Sequence, residues 1–138
     1  LFAINRFDTF KRKVAKNGQR NQIQGHCLKA DVYHYFETVD HKKLLAILQK
    51  KISDQRTLQL IQKILHNFKT KKEEKGMPLG NLTSQFFANV YLNELDYFVK
   101  HQLRAKYYIR YVDDFVLLHE SRERLESWKE AIEQFLNK

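Results

Sequence analysis

A single cysteine, a single proline, four glycines and no apolar run of membrane length remove several protein classes before any motif is read. Cys27 alone cannot form an internal disulfide or a cysteine-based zinc site, which fits a reducing, intracellular setting. Its apolar, alternating surroundings read as those of a small core residue. No stretch approaches the roughly 20 apolar residues of a membrane span, and no signal peptide is visible. Pro/Ser-rich linkers, low-complexity tracts and internal repeats are also missing, so the 138 residues read as one domain or part of one. The start at Leu1 rather than Met reads as a piece of a longer chain. The six histidines show neither an HExxH pattern nor close pairing, and none is assigned a metal.

What is present is a core-forming and basic chain. Hydrophobic residues make up 43%, with ten Phe, seven Tyr and one Trp, enough for a chain of this length to bury roughly two thirds of its unfolded surface. Net charge is +9, unevenly spread: residues 1–80 hold 17 Lys and Arg against 7 Asp and Glu, and residues 81–138 hold 8 against 9. A basic first half beside a nearly neutral second half suggests a face made for a polyanion, although scattered lysines on a soluble protein would give the same total.

Periodicity predicts the elements. Ala3, Phe7, Phe10 and Val14 lie at helical spacing, so a helix is expected over residues 2–14, with Asn17-Gly18 as its C-cap and a polar loop to Gln24. His26 to Tyr35 alternates and reads as a strand that delivers Asp31 near its end. Asp40 should cap a helix reaching about Lys51, and Ser53 a second one carrying Leu58, Ile61, Leu65 and Phe68. Residues 70–75 read as a charged loop at a hairpin tip. A third helix is expected from Leu82 to His101, burying Phe86, Phe87, Val90, Tyr91, Leu95 and Phe98. A hairpin centred on Asp113-Asp114 follows, then a last helix with Leu125, Trp128, Ile132 and Phe135 in register; Tyr107, Tyr108 and Tyr111 read as packing residues. This order describes an α+β layer, a small antiparallel sheet with helices packed on one face.

Two adjacent carboxylates at the tip of a hydrophobic hairpin repel each other and add nothing to a core, so a divalent cation is one candidate to compensate them. Asp is also common in turns because its side chain bonds nearby backbone, and the pair by itself leaves both readings open. If the strand ending near Asp31 lies beside the hairpin, three carboxylates meet at one edge of the sheet. That arrangement suits two divalent cations about 4 Å apart, which activate an attacking oxygen and stabilise a leaving phosphate oxygen. Oxygen-only ligands point to Mg²⁺.

Three motifs in order carry a resemblance to a known family. Lys29-Ala30-Asp31-Val32-Tyr33-His34-Tyr35-Phe36, followed by Val39-Asp40-His41, resembles the first catalytic motif of reverse transcriptases. Gly76-Met77-Pro78-Leu79-Gly80-Asn81-Leu82-Thr83-Ser84-Gln85 resembles the second, and Tyr111-Val112-Asp113-Asp114 the third. The nearest likeness is to bacterial enzymes of group II introns, retrons and diversity-generating retroelements. Leu79, where many reverse transcriptases have Gln, resembles the diversity-generating branch, whose enzymes copy adenines unfaithfully.

The resemblance implies roles residue by residue. Asp31 and Asp113 would ligate two Mg²⁺ ions, or Mn²⁺ in their place, with the Val32 carbonyl completing one shell and Asp114 as the third carboxylate. Phe36 matches the position whose ring crowds a ribose 2′-OH. Gly76, Pro78 and Gly80 would let backbone approach the nascent base pair beside Leu79, Ser84 and Gln85 would face the template, and Tyr111 the primer. The expected architecture is a polymerase palm with part of the fingers. The N-terminal fingers and C-terminal thumb would lie outside residues 1–138, which leaves the isolated piece an expected poor polymerase. Implied partners are an RNA template, a DNA or RNA primer, a dNTP, and an accessory protein or structured RNA. No membrane is implied, and a bacterial or phage origin with a cytoplasmic location is. Two rivals differ in class: a non-catalytic RNA-binding relative, disfavoured by three carboxylates that a pure binder has no use for, and an RNA-synthesising palm enzyme, disfavoured by Phe36.

Overall fold

The computed structural model describes residues 3–16, 19–67, 74–78 and 80–137. Its elements run β1 (Ala3–Lys16), β2 (Gln19–Asp31), α1 (Tyr35–Thr38), α2 (His41–Gln49), α3 (Gln55–His66), α4 (Leu82–Tyr97), a π-helical turn (Phe98–Gln102), β3 (Tyr107–Tyr111), β4 (Asp114–His119) and α5 (Arg122–Leu136). They fall into two compact units, Leu1–Tyr33 with Leu95–Lys138, and His34–Glu94.

The first unit holds a four-stranded antiparallel sheet in the order β1-β2-β4-β3. The two central strands supply its core through alternation: Leu28 and Ala30 of β2 and Phe115 and Leu117 of β4 are all essentially inaccessible. Helix α5 packs against both strands and contributes buried Leu125, Trp128 and Ile132 at helical spacing. Ser121 caps α5 by accepting the Arg124 N–H at 3.1 Å, and Phe135 stacks on Phe98 with centroids 4.5 Å apart.

The second unit is helical. Asp40 caps α2 by accepting the Lys43 N–H, and Leu44 and Leu48 are buried on one side. In α3 the buried stripe is Leu58, Ile61 and Leu65. The first part of α4 adds Phe87, Ala88 and Leu92, and the Tyr35 hydroxyl donates to the Ala88 carbonyl at 2.8 Å. The mixture of helices with a small antiparallel sheet expected from periodicity is therefore present. No helix among the described residues is long and apolar enough to cross a membrane.

Several local expectations need correction. Residues 3–16 form a strand, not a helix, and β2 begins at Gln19 within the expected loop. The physical reason is long-range: β1 and β2 pair from Ala3↔Asp31 to Lys16↔Gln19, with a register shift between Ile4 and Arg6. This pairing outweighs local spacing, and Asn-Gly between two strands is the strongest short hairpin signal. The cap of α3 is Asp54, one residue after Ser53, because its carboxylate accepts both the Thr57 N–H and hydroxyl. Phe86 is 59% exposed, since α4 is apolar on most of its circumference and cannot bury every large side chain. Tyr107 and Tyr111 are exposed as well, because they share the open face of edge strand β3 with Ile109, while Tyr108 alone turns inward. The helix expected to reach His101 changes to π geometry at Phe98. Phe68 and most of the charged 70–75 loop lie outside the described residues.

Candidate active site

The register of the two central strands builds the site. Ala30 of β2 faces Phe115 of β4, so the next step along the pair sets Asp31, the last residue of β2, beside Asp114, the first of β4. Asp113 stands one residue earlier, in the turn that joins β3 to β4. A slip by one residue would turn buried Ala30 and Phe115 to the opposite face, so core packing holds the carboxylates at one end of the sheet.

Their electrostatics reflect the crowding. Burial pushes the Asp113 carboxyl above its ordinary value, and the charges of Asp114 and Asp31 push it further, against a lowering backbone hydrogen bond. Asp31 Oδ1 is buried with no hydrogen-bond partner among the described residues. A buried oxygen without a donor is costly, and a divalent cation satisfies it. The donor set is all oxygen, so these residues fit Mg²⁺ or Mn²⁺. Among the described residues the carboxylates gather at the strand ends without closing into a cluster of three metal-ligating side chains. Val32, which follows Asp31 directly, is buried.

The turn that carries Asp113 has an unusual backbone. Tyr111 and Asp114 are register partners, leaving a two-residue loop of Val112 and Asp113, and Val112 has φ +56°. Such loops favour glycine or asparagine at positive φ; a β-branched side chain there is strained by about 1–3 kcal/mol. Arg110, 9% exposed, donates through Nη1 to the Val112 carbonyl at 2.7 Å. The same guanidinium forks onto Asp96 of α4, Nε to Oδ1 at 2.8 Å and Nη2 to Oδ2 at 2.5 Å. The Tyr108 hydroxyl adds a third bond to Asp96 Oδ1 at 2.7 Å, and burial followed by that carboxylate raises the phenol pKa.

The remaining expected site residues lie in the helical unit. Phe36, in α1, is half-buried with its ring edge-on to Tyr35, and its carbonyl accepts the Met77 N–H at 2.6 Å. Val39 accepts the Gly76 N–H at 2.8 Å, and Glu74 accepts that of His41 at 3.1 Å. These backbone bonds bring Phe36 and the segment Gly76-Met77-Pro78 together across 40 residues of sequence. Pro78 is half-buried; Gly76 and Gly80 have φ of +91° and +80°, a conformation that favours glycine. A Cβ on Gly80 would meet nothing within 4 Å, so its need for glycine is conformational. Leu79 lies outside the described residues. Ser84 is buried while Gln85 is exposed, so of that pair Gln85 alone offers its side chain to solvent.

Three residues that sequence reasoning passed over take part. Arg110 and Asp96 hold the turn, and the available signal was a charged residue sharing inward parity with Tyr108 on β3. His41 is 3% exposed, and its Nε2 donates to the Gly76 carbonyl at 2.7 Å, tying α2 to the glycine segment. Its position three and seven residues before Leu44 and Leu48 already marks it as facing inward.

Comparison with known proteins agrees with this geometry. A family profile described as reverse transcriptase (RNA-dependent DNA polymerase) matches residues 3–138. The group II intron-encoded protein LtrA of Lactococcus lactis subsp. cremoris is 36% identical over 104 residues, 72% of this chain and 16% of LtrA. An uncharacterized 91 kDa protein in a cob intron of Schizosaccharomyces pombe is 38% identical over 78 residues, 53% of this chain and 10% of that protein. Protein YkfC of Escherichia coli is 30% identical over 79 residues, 52% of this chain and 20% of its own length. The chain thus spans at most a fifth of these curated relatives.

The raised Asp113 pKa has a consequence for stability. A carboxyl with a higher pKa folded than unfolded binds protons more readily in the folded state, so its penalty is full above the folded pKa and vanishes below the ordinary value of 3.8. Asp113→Asn is therefore expected to stabilise the metal-free protein at pH 7. Denaturant unfolding as a function of pH checks this: the advantage should shrink as pH falls toward 3.8. An advantage that stayed constant with pH would mean the charge of Asp113 is not its source.

Proposed function

The chain belongs to the reverse transcriptase family, and from that premise we propose that residues 1–138 form the palm and part of the fingers of an RNA-directed DNA polymerase. The reaction joins a primer 3′-OH to a deoxynucleoside triphosphate on an RNA template and releases pyrophosphate. The observation that carries this reading is the gathering of Asp31, Asp113 and Asp114 at one end of the sheet.

Asp31 and Asp113 would hold two Mg²⁺ or Mn²⁺ ions, with the Val32 carbonyl in one shell and Asp114 as the outer carboxylate. When bound, such ions activate the attacking oxygen and stabilise charge on the leaving phosphate oxygen. The chain's own residues do the positioning. The Phe36 ring excludes a ribose 2′-OH, and Pro78, Leu79 and Gly80 border the nascent base pair. Exposed Tyr111 is available to the primer strand and Gln85, with Ser84 behind it in sequence, to the template. The excess of Lys and Arg in residues 1–80 supplies phosphate contacts without sequence preference.

Two element types fit, each favoured by its own observation. Identity to LtrA, a group II intron-encoded protein, supports an intron-type enzyme that works with a structured RNA. The aliphatic Leu79 between Pro78 and Gly80 supports a diversity-generating enzyme, because an apolar side chain reads no polar group on the pair and discriminates bases weakly.

Primer extension by the full-length protein on an RNA template tests the activity and its sugar selectivity together. Wild type should add dNTPs, Asp113→Asn should add essentially none, and Phe36→Ala should gain ribonucleotide use by about two orders of magnitude as a steric clash is removed. An Asp113→Asn variant as active as wild type would overturn the reading.

Leu79→Gln separates the two element types. In a diversity-generating enzyme, single-nucleotide kinetics should show misincorporation opposite template adenine falling while sugar selectivity stays unchanged. An unaltered error spectrum would leave the intron-type reading alone in place.

A further inference from the structure

The turn bearing Asp113 is strained at Val112, its Val112 carbonyl is held by the Arg110 side chain, and that side chain is itself held from a helix. Arg110 reaches the Val112 carbonyl with Nη1 while its Nε and Nη2 donate to Asp96. We propose that Arg110, oriented by Asp96, is a positioning residue that keeps the Val112-Asp113 turn in the conformation presenting Asp113 beside Asp31 and Asp114. The proposal rests on the polymerase reading for its catalytic consequence and on geometry for the rest.

Three observations carry it. First, the guanidinium is almost fully buried, and its planar fork satisfies a carboxylate and a carbonyl at once, which a lysine ammonium on a flexible stem does not reproduce. Second, the Val112 carbonyl belongs to a β-branched residue at φ +56°, so a bond there acts where the turn would otherwise relax. Third, the influence is geometric. The charge of Arg110 is matched by Asp96 within hydrogen-bond distance. Tyr108 orders the same carboxylate from the neighbouring inward position of β3, so the anchor is held from two sides.

The edge position of β3 explains the need for such a device. Among the described residues its backbone pairs with β4 alone in the sheet, so no further strand flanks its outer side there. A tie running from the turn through Arg110 to α4 replaces the missing neighbour.

The test uses the full-length protein carrying Arg110→Lys, Asp96→Asn, Arg110→Ala or Asp96→Ala with Arg110→Ala. Two readouts are taken: hydrogen exchange over residues 107–118 without metal, and single-nucleotide incorporation with kcat and KM resolved. Arg110→Lys keeps the charge and most of the side-chain packing, so it remains informative if the alanine variants fold poorly. Expected are faster exchange at the turn with unchanged exchange over the rest of the sheet, and a kcat loss on the order of 100-fold with little change in KM for the nucleotide, as befits a misplaced reacting group. The double variant should lose no more than Arg110→Ala, because both act through one contact. Unchanged exchange at the turn, or a KM effect with kcat preserved, would overturn the proposal. Faster exchange in a protein whose wild type incorporates no nucleotide would support the tie and instead overturn the polymerase reading.

Discussion

Like charges converge where β2 meets β4, and the packing of the sheet gives them no way apart. Leu28 and Ala30 from one strand and Phe115 and Leu117 from the other are sealed beneath α5, so the register cannot slip without exposing the core. That fixed register carries Asp31 and Asp114 to the same end of the sheet and brings the turn with Asp113 alongside. Hydrophobic burial therefore offsets the electrostatic cost of the site, and the cost is visible in the raised Asp113 pKa and the unpartnered Asp31 oxygen. The fold brings these carboxylates to one end of the sheet before any cation is present.

Secondary contacts follow the same division of labour, in which a scaffold residue holds a backbone carbonyl so that a neighbour is presented. Arg110 does this at the Val112 carbonyl from β3, and His41 does it at the Gly76 carbonyl from α2. The Arg110 side chain is nine-tenths buried, His41 is buried, and both serve a segment with positive φ. A purely hydrophobic replacement would pack, yet it would leave a carbonyl without a donor and the segment free to relax.

Much of this was legible before the fold was known. The Asp113-Asp114 hairpin, the strand end at Asp31, the cap of α2 and the stripe of α5 follow from short-range pattern, because apolar alternation and helical spacing are local. The N-terminal strand was not legible: Phe7, Phe10 and Val14 fit a helix as readily, and only pairing with β2 decides between them. Exposure of Phe86, Tyr107 and Tyr111 escaped for a related reason, since a sequence shows that a residue is apolar without showing whether a neighbour covers it. The Arg110–Asp96 tie spans 14 residues and two element types, and no local spacing encodes it.

Direct evidence for the central claim, that the register assembles a divalent-cation site, comes from calorimetric unfolding of the full-length protein with and without Mn²⁺. Ions that bind the folded carboxylates and not the unfolded chain raise the unfolding temperature by mass action. The expected result is a metal-dependent rise in wild type that disappears when Asp31→Asn and Asp113→Asn are combined. An equal rise in wild type and the double variant would contradict the claim, because the stabilising ions would then be bound elsewhere.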